Sequence, residues 1–206
     1  MFCSHCGQPA ANRFCAHCGQ PLDNGGGLAI AVVDEPWEEE FRYEALIRAP
    51  QVRDAISRHA SFARKGMPGE QFLKICDKLM PIGVPMESLA AVIQPLYAAL
   101  GIQTGKQRLV QIQASIGRVM QRTLCSLARR GQSLRDVQQA ADGCVLTAEL
   151  PSDLFALAGD IMVTLRRRDA STEVNAATKI GGQWFDWGKS NRALDQLFTD
   201  LQLDPG

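Results

Sequence analysis

The spacing of apolar positions changes near the middle of this chain, and the elements it predicts change with it. From Glu38 to about Met80 the pattern is helical and interrupted. Pro50 suits the first turn of a helix running from about Gln51 to Arg64. Gly66-Met67-Pro68-Gly69 breaks that helix, Glu70 to Leu79 reads as another, and Met80 to Pro85 reads as a loop. Glu87 to Leu100 is helical again, with a bend at Pro95. Thr104 is placed to cap a long helix from about Gly105 to Arg129. Its apolar positions Leu109, Ile112, Ile116, Val119, Met120, Leu124 and Leu127 gather on one stripe, and Arg118, Arg122 and Arg129 fall opposite.

Beyond that helix the period shortens. Ser133 to Ala140 and Cys144 to Leu150 flank Asp142-Gly143, a hairpin signal, although a helix over Leu134 to Ala141 also fits. Ala158 to Arg167 and Thr172 to Ile180 alternate around Arg168-Asp169-Ala170-Ser171 and form a second predicted hairpin. Ser190 can cap a last helix whose stripe is Leu194, Leu197, Phe198 and Leu201. The predicted fold class is α+β, in the order helix, hairpin, hairpin, helix. A four-stranded antiparallel sheet would have one face covered by the two amphipathic helices. This layout resembles helix-grip and similar sheet-plus-helix modules in topology. The expected organisation is a zinc ribbon at 1–22, a flexible and acidic linker at 23–37, a helical segment at 38–103 and an α+β domain at 104–206.

The ribbon is read from a repeat. Phe2-Cys3-Ser4-His5-Cys6-Gly7-Gln8-Pro9 returns almost unchanged as Phe14-Cys15-Ala16-His17-Cys18-Gly19-Gln20-Pro21. Two thiolates three residues apart on a tight turn reach one metal, and two such turns supply the four sulfurs of a closed tetrahedral zinc site. Gly7 and Gly19 suit a chain that turns its amides back toward the sulfurs. A thioredoxin-like redox site would need one such pair in a βαβ setting rather than two. The repeat resembles the short zinc ribbons that open many bacterial proteins, where the ribbon is a structural or partner-binding appendage. By that resemblance Cys3, Cys6, Cys15 and Cys18 hold one structural zinc, and a four-sulfur site leaves no position for a catalytic water. His5 and His17 sit inside the knuckles and read as solvated imidazoles. No charged n-region or apolar h-region opens the sequence, so the thiols are expected in a reducing, cytoplasmic setting. Asn24-Gly25-Gly26-Gly27 then marks a flexible linker.

Charge refines this picture. The chain has 22 basic and 22 acidic residues, and 46% of its residues are apolar, a globular balance. The apolar run Leu28 to Val33 is far short of the ~20 residues that span a bilayer, so no membrane span is expected. Neutrality hides an asymmetry: Cys18 to Ile47 carries seven acids against Arg42, whereas Ser88 to Arg135 carries seven bases and no acid. The acidic segment 34–44 could therefore cover the arginine face of the long helix. Alternatively Arg118, Arg122 and Arg129 could contact phosphates, which with a ribbon suggests nucleic acid. A neutral chain with pI near 6.8 lacks the usual electrostatic footprint of a DNA binder.

Catalytic signals are sparse. Gly182 to Ser190 ends in Gly188-Lys189-Ser190 like a phosphate loop, but five residues separate the glycines, among them Trp184, Phe185 and Trp187. Those aromatics form the densest such patch and, if exposed, would anchor a partner. Asp186 with Lys189 reads as a surface contact. His59 stands alone outside the ribbon, and Cys76, Cys125 and Cys144 read as small buried apolar groups. The leading expectation is a non-catalytic adaptor that binds a protein partner. The alternatives are a nucleic-acid binder and a small-ligand or lipid-binding α+β domain. The ribbon yields a direct prediction: native mass spectrometry finds one zinc per chain, and chelation unfolds only residues 1–22.

Overall fold

The computed structural model describes residues 37–63, 67–83, 103–104, 106–153, 156–182 and 187–203. The chain divides into two compact units, Met1–Asp34 and Glu35–Gly206, and every described residue belongs to the second. The cysteine knuckles, the glycine linker and the predicted helix over Glu87 to Leu100 lie outside the described residues.

The second unit is α+β. A 3-10 turn at Trp37–Glu39 precedes α1 (Tyr43–Arg48), α2 (Pro50–Ala60) and α3 (Gly69–Lys78). Strands β1 (Ile82–Gly83), β2 (Gln103–Thr104) and β3 (Gln107–Ile112) come next, then helix α4 (Ile116–Arg129). Strands β4 (Leu134–Ala140), β5 (Gly143–Leu150), β6 (Gly159–Arg168) and β7 (Ser171–Gly181) follow in succession, and α5 (Lys189–Gln202) comes last. They form one mixed sheet in the order β1-β4-β5-β6-β7, with β2 and β3 both on the far side of β7. β1 runs parallel to β4, and the other pairings are antiparallel.

Two expectations need correction. The sheet is wider than four antiparallel strands, because β1 extends one edge and β2 with β3 extends the other. From residue 107 the element order is therefore strand, helix, hairpin, hairpin, helix rather than starting on the helix. The second correction explains the first: residues 107–112 are not the start of a long helix. They pair with Thr172–Ala177 of β7, and the helix begins at Ile116 after Ser115. Leu109 lies in this strand with 62% of its surface exposed, whereas Ile112 reaches the core.

The hairpins show why their turns sit where they do. Asp142 belongs to the β4–β5 turn, but Gly143 is already paired in β5. A Cβ on Gly143 would overlap the Leu165 carbonyl oxygen, so strand approach rather than turn conformation selects glycine. In the β6–β7 turn Asp169 takes the positive φ, at 41°.

One core joins the early helices to the sheet. Tyr43, Leu46, Val52, Ile56 and Phe72 bury their side chains in the same cluster as Leu146, Val163, Val174 and Leu197. Cys144, Leu146, Ala148 and Leu150 alternate into that core along β5 with the period of two of a strand, while Val145 is buried with Ala140 in a separate small cluster. α4 packs against β6, β7, α2 and α5, and all eleven of its residues named Ile116, Gly117, Val119–Gln121 and Thr123–Ala128 are buried. It ends in a Schellman motif: Gln132 N–H donates to Leu127 O at 3.0 Å, Gly131 N–H donates to Ala128 O at 3.0 Å, and Gly131 has φ 64°. At the other end the Trp37–Glu39 turn lies directly on Gly117. A Cβ there would overlap the Trp37 carbonyl oxygen and come within 2.5 Å of that of Glu38. Gly117→Ala should therefore lose about 1–3 kcal/mol in chemical denaturation, as overpacked sites do. Gly83→Ala, with nothing within 4 Å of the added carbon, is the matched control and should change little.

Candidate anion-binding cleft

Residues 122, 125, 126 and 129 follow i, i+3, i+4, i+7 spacing, so they form one stripe along α4. This stripe floors a cleft of about 400 Å³ between the end of α2, α4 and the end of α5. α2 contributes Arg58 and His59, and Ser61 and Phe62 follow just after it. α5 contributes Asp200, and Leu203 follows as its C-cap. Phe62 and Leu203 are 68% and 58% exposed, an apolar rim on a charged hollow.

The arginines have structural partners as well. Arg122 Nη1 donates to the Leu201 carbonyl at 3.0 Å, meeting the open C-terminal end of α5. Asp200 Oδ2 accepts from Ser126 Oγ and from Arg130 Nη2, both at 2.6 Å, while Arg129 Nη1 stands 3.8 Å from its other oxygen. The lone carboxylate in the cleft lining is thus engaged from several sides. His59 senses what remains. Partial burial first, then the charges of Arg129 and Arg58, hold its imidazole below the ordinary 6.5, and Asp200 opposes them only weakly. Burial lowers an imidazole pKa in any field, and here the two arginine charges act in the same direction. Cys125 lies on the floor, and burial pushes its thiol up to about 12, so no thiolate nucleophile is present at neutral pH.

The three arginines singled out from the sequence separate here. Arg122 and Arg129 line the cleft, joined by Arg58 and His59. Arg118 belongs elsewhere: its guanidinium lies 5.9 Å from the centroid of the Trp37 ring and 3.6 Å from Glu38. The acidic segment meets the basic helix at that end, not along the whole stripe. Arg58, His59 and Asp200 were not readable as site residues, because their only link to the stripe is tertiary.

The aromatic turn divides as well. Trp187 is 62% exposed with φ 49°, while Trp184, Phe185 and Asp186 lie outside the described residues. Lys189 does not face a phosphate cradle. It is buried, and its Nζ donates to the carbonyls of Pro151 at 2.6 Å and Leu157 at 2.7 Å, which ties the β5–β6 connection to α5. Gly188, at φ 76°, is the N-cap position of α5, and the helix begins one residue before Ser190.

The predicted zinc ligands Cys3, Cys6, Cys15 and Cys18 lie outside the described residues. Among the described residues no group of three or more His, Cys, Asp or Glu is arranged to hold a metal ion. Among them, too, no helix is long and apolar enough to cross a membrane. No protein-family model matches the chain, and no curated protein or solved structure matches it significantly.

His59 gives this site a signature in solution. Its pKa is lower in the folded state than in the unfolded chain, so the unfolded state binds more protons as pH falls through 6.5. Stability should therefore be fully present above that value and decline below it. Urea midpoints at pH 7.5 and 5.5 should fall less for His59→Gln than for the parent chain.

Proposed function

We propose that this chain is a non-catalytic, zinc-ribbon adaptor whose body grips an acidic group of a protein partner in the cleft between α2, α4 and α5. The observation that carries this reading is the convergence of Arg58, Arg122 and Arg129 on one hollow beside His59. Guanidinium groups pair with planar anions through two parallel hydrogen bonds, and concavity limits solvent screening of such pairs. The exposed Phe62 and Leu203 give the same hollow apolar surface for a partner to cover. Binding rather than chemistry also fits the groups on the floor. The Cys125 thiol stays protonated, and the Ser126 hydroxyl donates to Asp200 instead of to a base. In this reading the cysteine knuckles add a second, metal-dependent contact surface.

A nucleic-acid function draws less support. A phosphate backbone is best met by a continuous track of cations, and the α4 arginines are divided between the cleft and the Trp37–Glu38 turn. A ligand pocket enclosed by the sheet and the last helix draws less still, since Leu194, Leu197, Phe198 and Leu201 are all packed in the core. Fluorescence anisotropy of the full chain with a labelled acidic hexapeptide, and with mixed-sequence oligonucleotides, separates the readings. Peptide binding should weaken about tenfold in Arg58→Gln/Arg129→Gln, the loss of one or two charged hydrogen bonds. Arg118→Gln should leave it unchanged. Oligonucleotide binding that is tighter than peptide binding and falls with all three substitutions would put the nucleic-acid reading in its place.

A further inference from the structure

One edge of the sheet is a strand that its own residues leave unguarded. β3 pairs with β7 on one side, and among the described residues no strand pairs with its other side. Edge strands are commonly protected by proline, by charges along the strand or by a bulge. Residues 107–112 read Gln-Arg-Leu-Val-Gln-Ile and keep an unbroken register with β7. Their one charge is turned toward α5: Arg108 Nη2 donates to Asp195 at 2.6 Å, and the guanidinium lies 5.5 Å from the Phe198 ring centroid.

The ladder fixes which backbone groups face the open edge. Thr178 N–H donates to the Lys106 carbonyl at 2.9 Å, one step beyond the Gln107–Ala177 pair. Hydrogen-bonded pairs alternate along an antiparallel ladder, so Arg108, Val110 and Ile112 turn their backbone groups toward β7. Gln107, Leu109 and Gln111 turn theirs outward, and their side chains share the sheet face away from Arg108. Gln107 Nε2 donates to Asn175 Oδ1 at 2.9 Å and Gln111 Nε2 to Ser171 Oγ at 2.7 Å, so both amides lie back across β7 instead of over the edge. Leu109 stands between them, 62% exposed.

The residue pattern of that edge selects its occupant. Gln107, Leu109 and Gln111 read the same in both directions, as a two-fold pairing of identical antiparallel strands requires. An axis through Leu109 sets Leu109 against Leu109 and Gln107 against Gln111. On the opposite face it sets Arg108 against Val110, so the one charge of the strand does not meet itself. The outward residues are also the ones that such an axis joins as hydrogen-bonded pairs, each donating one bond and accepting one. We propose that this chain forms a two-fold dimer by antiparallel pairing of β3 with β3 of a second copy, centred on Leu109, which joins two sheets into one. The contact closes on itself, because it uses the same edge of both copies. It is small and belongs with weak, concentration-dependent interfaces, with a dissociation constant on the order of 10 μM.

Sedimentation equilibrium of the full chain tests this. The chain should pass from monomer to dimer across that concentration and stop there. Leu109→Lys and Leu109→Asp each set like charges opposite one another, and each should weaken the dimer about tenfold. Because Leu109 is exposed, the urea midpoints of both variants should match the parent's at a concentration where the parent is monomeric. An equimolar mixture of the two variants should recover the parent's association to within about threefold, since opposite charges then meet across the axis. A chain that stays monomeric to about 1 mM would overturn the second copy as occupant and leave the edge to an extended segment of another protein. A dimer unmoved by either variant would place the contact elsewhere on the chain. Variants that dissociate but do not recover on mixing would overturn the two-fold at Leu109, and assemblies that grow past the dimer would overturn its closure.

Discussion

The near-complete burial of α4 is the constraint on which the rest of the body depends. A helix placed between a sheet and other helices must present apolar surface on most of its circumference, and its polar side chains must find partners inside. Val119, Met120 and Leu124 meet the first demand. The second is met locally or by α5: Thr123 Oγ1 donates to the Val119 carbonyl of its own helix at 2.8 Å, and Ser126 Oγ donates to Asp200. Gly117 and Gly131 follow from the same enclosure, one admitting the Trp37–Glu39 turn and the other ending the helix sharply enough for β4 to begin. The cleft is where the enclosure is incomplete, because α2 and α5 both end beside the same stripe.

The entering segment is fastened by a different means. Gln139, in β4, accepts from Tyr43 N–H at 2.9 Å and donates to the carbonyls of Phe41 and Gly143 at 3.1 and 2.9 Å. Arg167 lies 5.1 Å from the Phe41 ring centroid and donates to the Glu39 carbonyl. A run of three glutamates is thereby seated against the body through its backbone and its neighbours. Among its side chains, Glu40 pairs with Arg42 at 2.6 Å and Glu38 with Arg118 at 3.6 Å. Exposed pairs of this kind each contribute little, and it is the stacking and backbone contacts that fix the segment.

Elements with long periodic patterns were legible in the sequence. α2, α3 and α5 lie close to their expected places, since Pro50, the Gly66–Gly69 break and the Leu194–Leu201 stripe carry local physical meaning. β3 was not legible, because Leu109, Ile112 and Ile116 are spaced like a helix while the first two lie in a strand and the third starts a helix. Only β7, far along the chain, decides between these, and a pairing partner leaves no mark on the local period. β1 and β2 are two residues each, too short to carry any pattern. The cleft was half legible for the same reason. Arg122 and Arg129 stood out as one polar stripe, but Arg58, His59 and Asp200 reach it only through the packing of α2 and α5.

The arginines of the cleft serve both fold and field, and the two roles are compatible for an electrostatic reason. Helices α2 and α5 direct their C-terminal, partially negative ends toward this region, and Asp200 adds a full negative charge. Burial is the first cause of the lowered His59 pKa, and the charges of Arg129 and Arg58 add to it against that of Asp200. Arg129 is half exposed, so its pull on any one partner is screened by water and small by itself. An anion seated in the hollow would displace that water and meet several guanidinium groups at once, where the same charges act through a lower effective dielectric. The guanidinium groups that line the hollow therefore hold the ends of the helices and, in the proposed reading, also meet an anion.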